Sequence, residues 1–210
     1  LAVPDSDAAG MAAYADLAAA VLAAAPRRAA ASWRSTLEAE AGGAPLAELA
    51  LQLMCHPVPS SLKASLDGLL TALAGEPGAA GPLLDRLGAC LLAGGGATGA
   101  LAATPHGAPS SSLARYDAAY QLAEVEARRE EYGETLALVR LLTACVTRAA
   151  ASAGGLAAAG ASHAHLALFV RRDVLGAVVG RGFRDPAQRW ALAAAAFDHV
   201  SAWLADAVRA

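Results

Sequence analysis

Apolar side chains recur along this chain at helical spacing, and proline, glycine and serine signals between them mark where each helix starts and stops. Pro4 and the segment Asp5 to Asp7 offer a cap for the first helix, whose face of Met11, Tyr14, Val21 and Leu22 runs to Pro26. A second helix carries Trp33 and Leu37 and stops at Gly42 and Gly43. A third runs from Pro45 through Leu46, Leu49, Leu53 and Met54 and is closed by His56, Pro57 and Pro59. Ser60 or Ser61 is the expected cap of a fourth, with a stripe of Leu62, Leu66, Leu69, Leu70 and Leu73 that ends at Gly75, two residues before Pro77. The fifth, over 81–93, presents Leu83, Leu84, Leu87, Leu91 and Leu92.

Residues 94–112 are rich in Gly, Ala, Pro and Ser and read as a long connection. It separates N-terminal helical hairpins (1–93) from a C-terminal helical segment (113–210). Helix is expected to resume near Ser112, with Leu122, Val125, Tyr132, Leu136, Val139 and Val146 on a common face and Gly133 as a break. On other faces Glu124 precedes Arg128, and Glu126 precedes Arg129, at ion-pairing distance along a helix. A further helix carries Leu166, Phe169, Val170, Val174, Ala177 and Val178. The last is announced by Asp185 as cap, Pro186 in the first turn and Gln188 to complete a capping box. Its two apolar flanks, Trp190, Phe197 and Leu204 on one side and Leu192, Ala196, Val200 and Trp203 on the other, predict a position between layers. With no strand alternation, the pattern predicts an all-α fold of stacked antiparallel hairpins, an α-solenoid of HEAT or armadillo type.

Composition narrows the function less than the pattern does. Alanine dominates, and Lys63 is the single lysine among many arginines, which suggests GC-biased coding and robs the alanine excess of functional meaning. A formal charge of -3 and a pI near 5.9 give no basic footprint for nucleic acid. The beginning, Leu1 rather than Met, suggests a fragment, and it lacks the basic stretch and apolar core of a signal peptide. Tyr14 and Asp16 interrupt the apolar run before Pro26, so no direct membrane span is expected. Cys55, Cys90 and Cys145 each sit in a leucine-rich helix without a CxxC spacing and read as buried free thiols.

Candidate chemistry is sparse. His163, His165 and Asp173 could be imagined as metal ligands, but residues two apart on a helix point about 200 degrees from one another. The Cys55–His56 pair reads as a helix end between prolines, and Gly94 to Gly96 as linker, since no GK[ST] follows. Glu126, Glu130, Glu131 and Glu134 interleave with arginines and predict a solvated, ion-paired face rather than paired catalytic acids. Arg171, Arg172, Arg181 and Arg184, with Arg189, form one local basic cluster and are the candidate interface for an acidic or amphipathic peptide. No catalytic, cofactor-binding or metal residue can be assigned, and no cofactor is implied.

Two C-terminal blocks carry a resemblance. Glu126, Arg128, Glu130, Glu131, Tyr132 and Thr135 precede an apolar helix with Leu138, Leu141 and Leu142; Phe169, Val170, Arg171 and Val174 lead to Arg181, Phe183, Arg184, Gln188, Arg189 and Trp190. In order and spacing they resemble the largest scaffold nucleoporins of the nuclear pore inner ring, with a looser match around HPVPSSLKASLDGLL. Gly133, Phe183 and Gln188 depart from the family pattern, which favours proline, tyrosine and glutamate there, and Gly176 and Gly180 stand where bulkier residues are usual. The resemblance implies an α-solenoid without enzymatic activity, at the nuclear envelope, inside a large hetero-oligomeric assembly. Its implied partners are linker nucleoporins with short linear motifs and neighbouring inner-ring scaffold subunits. The bare pattern leaves open a soluble armadillo-type adaptor or transport receptor, and more remotely a helical metal-dependent enzyme using His163, His165 and Asp173. Tyr132, Phe169, Phe183 and Trp190 are the expected packing anchors.

Overall fold

The computed structural model describes residues 4–25, 27–40, 45–91, 117–151 and 162–208, and within them the chain is all-helical, with no strand. Helices α1 (Asp5–Ala24), α2 (Arg27–Glu40), α3 (Leu46–Met54), α4 (Ser60–Leu73) and α5 (Ala80–Leu91) form the first half. The second half holds α6 (Ala118–Tyr120), a π-helical segment (Gln121–Glu126), α7 (Ala127–Arg129) and α8 (Gly133–Ala150). It continues through α9 (Ser162–Phe169), a second π-helical segment (Val170–Leu175), a 3-10 turn (Val178–Gly180) and α10 (Pro186–Ala207). The expected connection 94–112 lies outside the described residues.

Helices are present where the pattern predicts them among the described residues, with different chemistry at several ends; the expected stops at Pro26, at Gly42 and Gly43 and at 92–93, and the start near Ser112, lie outside the described residues. Pro4, Pro45 and Pro59 occupy the N-cap positions of α1, α3 and α4 without a side-chain cap, so at α4 a proline takes the place expected for Ser60 or Ser61. Pro's fixed φ suits the residue entering a first turn, which explains why it serves there. Asp117 and Asp185 do cap, the Asp185 carboxylate accepting from the Ala187 N–H at 2.9 Å. Gln188 does not reach back to Asp185; its Oε1 accepts from the Tyr132 N–H at 2.9 Å. A tertiary partner has replaced the local one.

α4 packs against α1 and α3 on one side and against α8 on the other, while α5 packs on α8 and α9. The leucine stripe of α4, with Leu62 and Leu70 fully buried, therefore meets Leu138, Leu141 and Leu142 of α8 in one continuous core that spans both halves. Burial of each such leucine contributes about 2 kcal/mol. The residues that α1 buries fully in this core are small, Ala8, Ala15 and Ala18, which let it lie close to α4, while Met11 and Leu22 pack against the core partly buried. Its stretch Ser6–Ala24 is, by length and composition, long and apolar enough to cross a membrane, contrary to the expectation from Tyr14 and Asp16.

Candidate functional site

The two C-terminal blocks meet in space. After α7 the backbone turns through Glu130 in the left-handed region, φ 58°, and this reversal aims Tyr132 at the loop before α10. Tyr132 is fully buried; its hydroxyl donates to the Gly182 carbonyl at 3.0 Å and its ring lies 4.6 Å from that of Phe183. The Arg184 N–H donates to the Glu130 carbonyl at 3.0 Å, and the Arg184 guanidinium pairs with Glu131 at 2.6 Å. Gly182 lies close under Glu130: a Cβ there would stand 2.5 Å from the Glu130 carboxylate, and this exposed, flexible side chain would have to move aside. Tyr132, Phe169 and Phe183 pack as expected, whereas Trp190 is 72% exposed and anchors nothing within the described fold.

The arginine cluster is divided by this junction. Arg181 is half-buried, and its Nη1 and Nη2 donate to the Leu122 carbonyl at 3.4 Å and the Asp173 carbonyl at 3.2 Å. One guanidinium thereby ties the two π-helical segments together, where widened turns leave carbonyls off the regular ladder. Arg189 lies over Phe183 and donates to the Arg181 carbonyl at 3.2 Å. Arg171, Arg172 and Arg184 are exposed, with Arg172 held by Asp173 at 2.9 Å. Of the four interface candidates, Arg181 is thus spent on internal hydrogen bonds and the other three remain at the surface.

The acidic side chains depart furthest from expectation. Glu126 and Glu134 are buried, not part of a solvated face, because the turn at Glu130 folds the π-helical segment back over the start of α8. Glu126 accepts from the Glu134 N–H at 2.9 Å, the Thr135 N–H at 3.2 Å and the Thr135 hydroxyl. It caps α8, whose own N-cap residue, Tyr132, supplies no side-chain acceptor. Burial outweighs these hydrogen bonds and pushes its carboxyl up to about 7. Beside it, Glu134 pairs with Lys63 of α4 at 3.6 Å and accepts from Gln121 at 2.9 Å. Asp67, fully buried on α4 with no hydrogen bond to either oxygen, is held well above the usual carboxylate range by burial and then by Glu134. The sequence signal that could have exposed this nest was Lys63 and Asp67 inside an otherwise apolar stripe.

No group of three or more His, Cys, Asp or Glu among the described residues is placed to hold a metal ion. His163 is half-buried and His165 exposed. His199 on α10 escaped the sequence reading: it is buried, neither ring nitrogen has a partner, and burial lowers it to about 4. Cys145 is buried as expected, but Cys55 and Cys90 are half-buried, and the Cys90 thiol is pushed up by its interaction with Cys55 and then by burial.

Concave surfaces also occur among the described residues. One, of about 510 Å³, is apolar and lies between α1, α2, α3 and α4, with Met11, Leu49 and Leu66 among its walls. Another, of about 360 Å³, runs between α8 and α10, floored by Ala144, Ala191, Ala194 and Ala195 and flanked by Arg140 and Asp198. Alongside it on α10 stand Trp190, Phe197 (59% exposed) and Leu204 (50% exposed), while the opposite flank, with Leu192 and Ala196, is buried. Among the described residues the helix is covered on one side only, which differs from the expected place between layers. No protein-family model matches the chain, and no curated protein matches it.

Proposed function

We propose that the chain is a non-enzymatic scaffold segment, an α-solenoid piece of the large inner-ring nucleoporin type, which holds other nucleoporins by its helical surfaces in support of nucleocytoplasmic transport. The observation that carries the scaffold reading is the row Trp190, Phe197 and Leu204, large apolar side chains left in water beside a shallow alanine-floored groove. Such a row stabilises the protein only when another helix covers it. The alanine floor permits close approach of that helix, and Arg140 and Asp198 at the rim supply charges of both signs for its polar face. We assign the occupant as an amphipathic helix of a neighbouring inner-ring subunit or linker nucleoporin. The family reading itself rests on the two sequence blocks, and their mutual packing through Tyr132 and Phe183 gives those residues a common structural reason.

A binding screen of the protein against inner-ring scaffold subunits and linker nucleoporin peptides tests this reading. Binding to at least one of them, weakened at least about tenfold by the double substitution Trp190→Glu, Phe197→Glu, is expected. Absence of binding to all of them sinks it. Binding instead to a small GTPase or to FG-repeat peptides would establish the transport-receptor alternative.

A further inference from the structure

We propose that Asp67 stands in the fold as a neutral carboxylic acid and that its proton is part of the joint between the two halves, so that the contact of α4 with α8 is a proton-dependent clasp. The inference stands apart from the scaffold reading. Asp67 and Lys63 lie one turn apart on α4, in the first half; Glu134 stands in the first turn of α8, in the second, and Glu126 ends the first π-helical segment. All four are buried, and α4 packs directly on α8. Three carboxyl groups and one ammonium therefore share a site closed to water. With every one of them ionised, negative charge would exceed positive in a low-dielectric interior, and a fold relieves such an excess by holding protons.

Hydrogen bonding decides which carboxyl gives way. Glu126 accepts from the Glu134 N–H at 2.9 Å, the Thr135 N–H at 3.2 Å and the Thr135 hydroxyl. Glu134 accepts from Gln121 at 2.9 Å and pairs with Lys63 at 3.6 Å. Asp67 is 1% exposed, and neither of its oxygens has a hydrogen-bond partner among the described residues. A buried anion without a donor is the costliest of the three to keep. Burial first, then Glu134, hold its carboxyl well above the usual range; Lys63 opposes them and Glu126 adds to them. On α1, Asp7, Tyr14 and Asp16 turn to water, and on α3 Glu48 pairs with Arg86 while Cys55 is half-buried. On α8, Arg140 is exposed, Cys145 is a buried thiol, and Arg148 donates to the Thr71 carbonyl of α4 at 3.1 Å, a turn beyond Asp67. The proton is bound more tightly in the fold than in the unfolded chain, so its contribution is full below the ordinary value of 3.8 and is lost as pH rises toward the raised one.

Infrared spectroscopy of the whole protein reads the proton directly. The spectrum at neutral pH should contain the carbonyl stretch of a buried carboxylic acid, part of which moves when aspartate is isotope-labelled at its side-chain carboxyl; glutamate, Glu126 included, does not respond to that label. The moving part should vanish in Asp67→Asn, which keeps the shape of the side chain without needing a proton, and should persist in Glu126→Gln. In denaturant unfolding from about pH 5 to about pH 7, the folded-to-unfolded ratio of the parent, relative to that of Asp67→Asn, should fall by about tenfold per pH unit. Parallel pH profiles for the two proteins overturn the proposal. So does a parent spectrum with no buried-acid band that responds to the aspartate label, and that result stands even where Asp67→Asn folds poorly.

Discussion

Glu126 and His199 are both withdrawn from water, and burial moves their proton affinities in ways that oppose one another. The glutamate titrates at 4.5 in the unfolded chain and at about 7 in the fold, so it binds its proton more tightly when folded. Its contribution is full below 4.5 and is lost as pH rises to about 7. The histidine titrates at 6.5 unfolded and at about 4 folded; its contribution is full above 6.5 and is lost as pH falls toward about 4. Each shift corresponds to up to about 3 kcal/mol. Relative to the parent, Glu126→Gln should therefore tilt stability against acid between pH 7 and 4.5, and His199→Leu should tilt it toward acid, by about 2–3 kcal/mol each. Denaturant unfolding at the two pH values measures both, and tilts of the same sign would refute the assignment. None of this was legible in the sequence, since Glu126 lies among arginines that would pair with it on any exposed helix.

The segment from Ala118 to α8 shows what local pattern does and does not fix. Its helical character and the break at Gly133 follow from periodicity, but the reversal takes place at Glu130, a non-glycine residue with φ 58°. The left-handed region is costly for side-chain-bearing residues, so Glu130→Gly should raise stability by about 0.5–1 kcal/mol without altering the fold. Thermal unfolding reads the gain, and a loss would show that the Glu130 side chain itself holds the turn. Tyr132→Phe removes the hydrogen bond to Gly182 and should cost about 1 kcal/mol, while Tyr132→Ala should cost about 3–5 kcal/mol by emptying the contact with Phe183. If both variants cost the same, the ring contributes nothing beyond the hydroxyl. The aromatic character of Tyr132 and Phe183 was readable as packing. That Gln188 would serve the Tyr132 N–H rather than its own helix was not, because a capping box and a tertiary hydrogen bond require the same residue type.

At the scale of the molecule, α4 and α8 carry the core from the N-terminal to the C-terminal half, on either side of the connection. One cooperative transition is expected in calorimetry, and Leu142→Ala, at a fully buried position on α8, should lower it as a whole by about 2–5 kcal/mol. Two separable transitions, only one of them moved, would mean that the halves fold independently. The sequence by itself determined the helices, their approximate ends and the leucines that fill the core, because these depend on periodicity, proline and glycine over a few consecutive residues. Only the tertiary structure decided the fate of the charged and aromatic residues. It buried Glu126, Glu134 and Asp67, turned Arg181 inward and left Trp190 in water. Burial of a side chain is set by which distant helix packs over it, and that choice is a property of the whole chain, not of the window in which the residue stands.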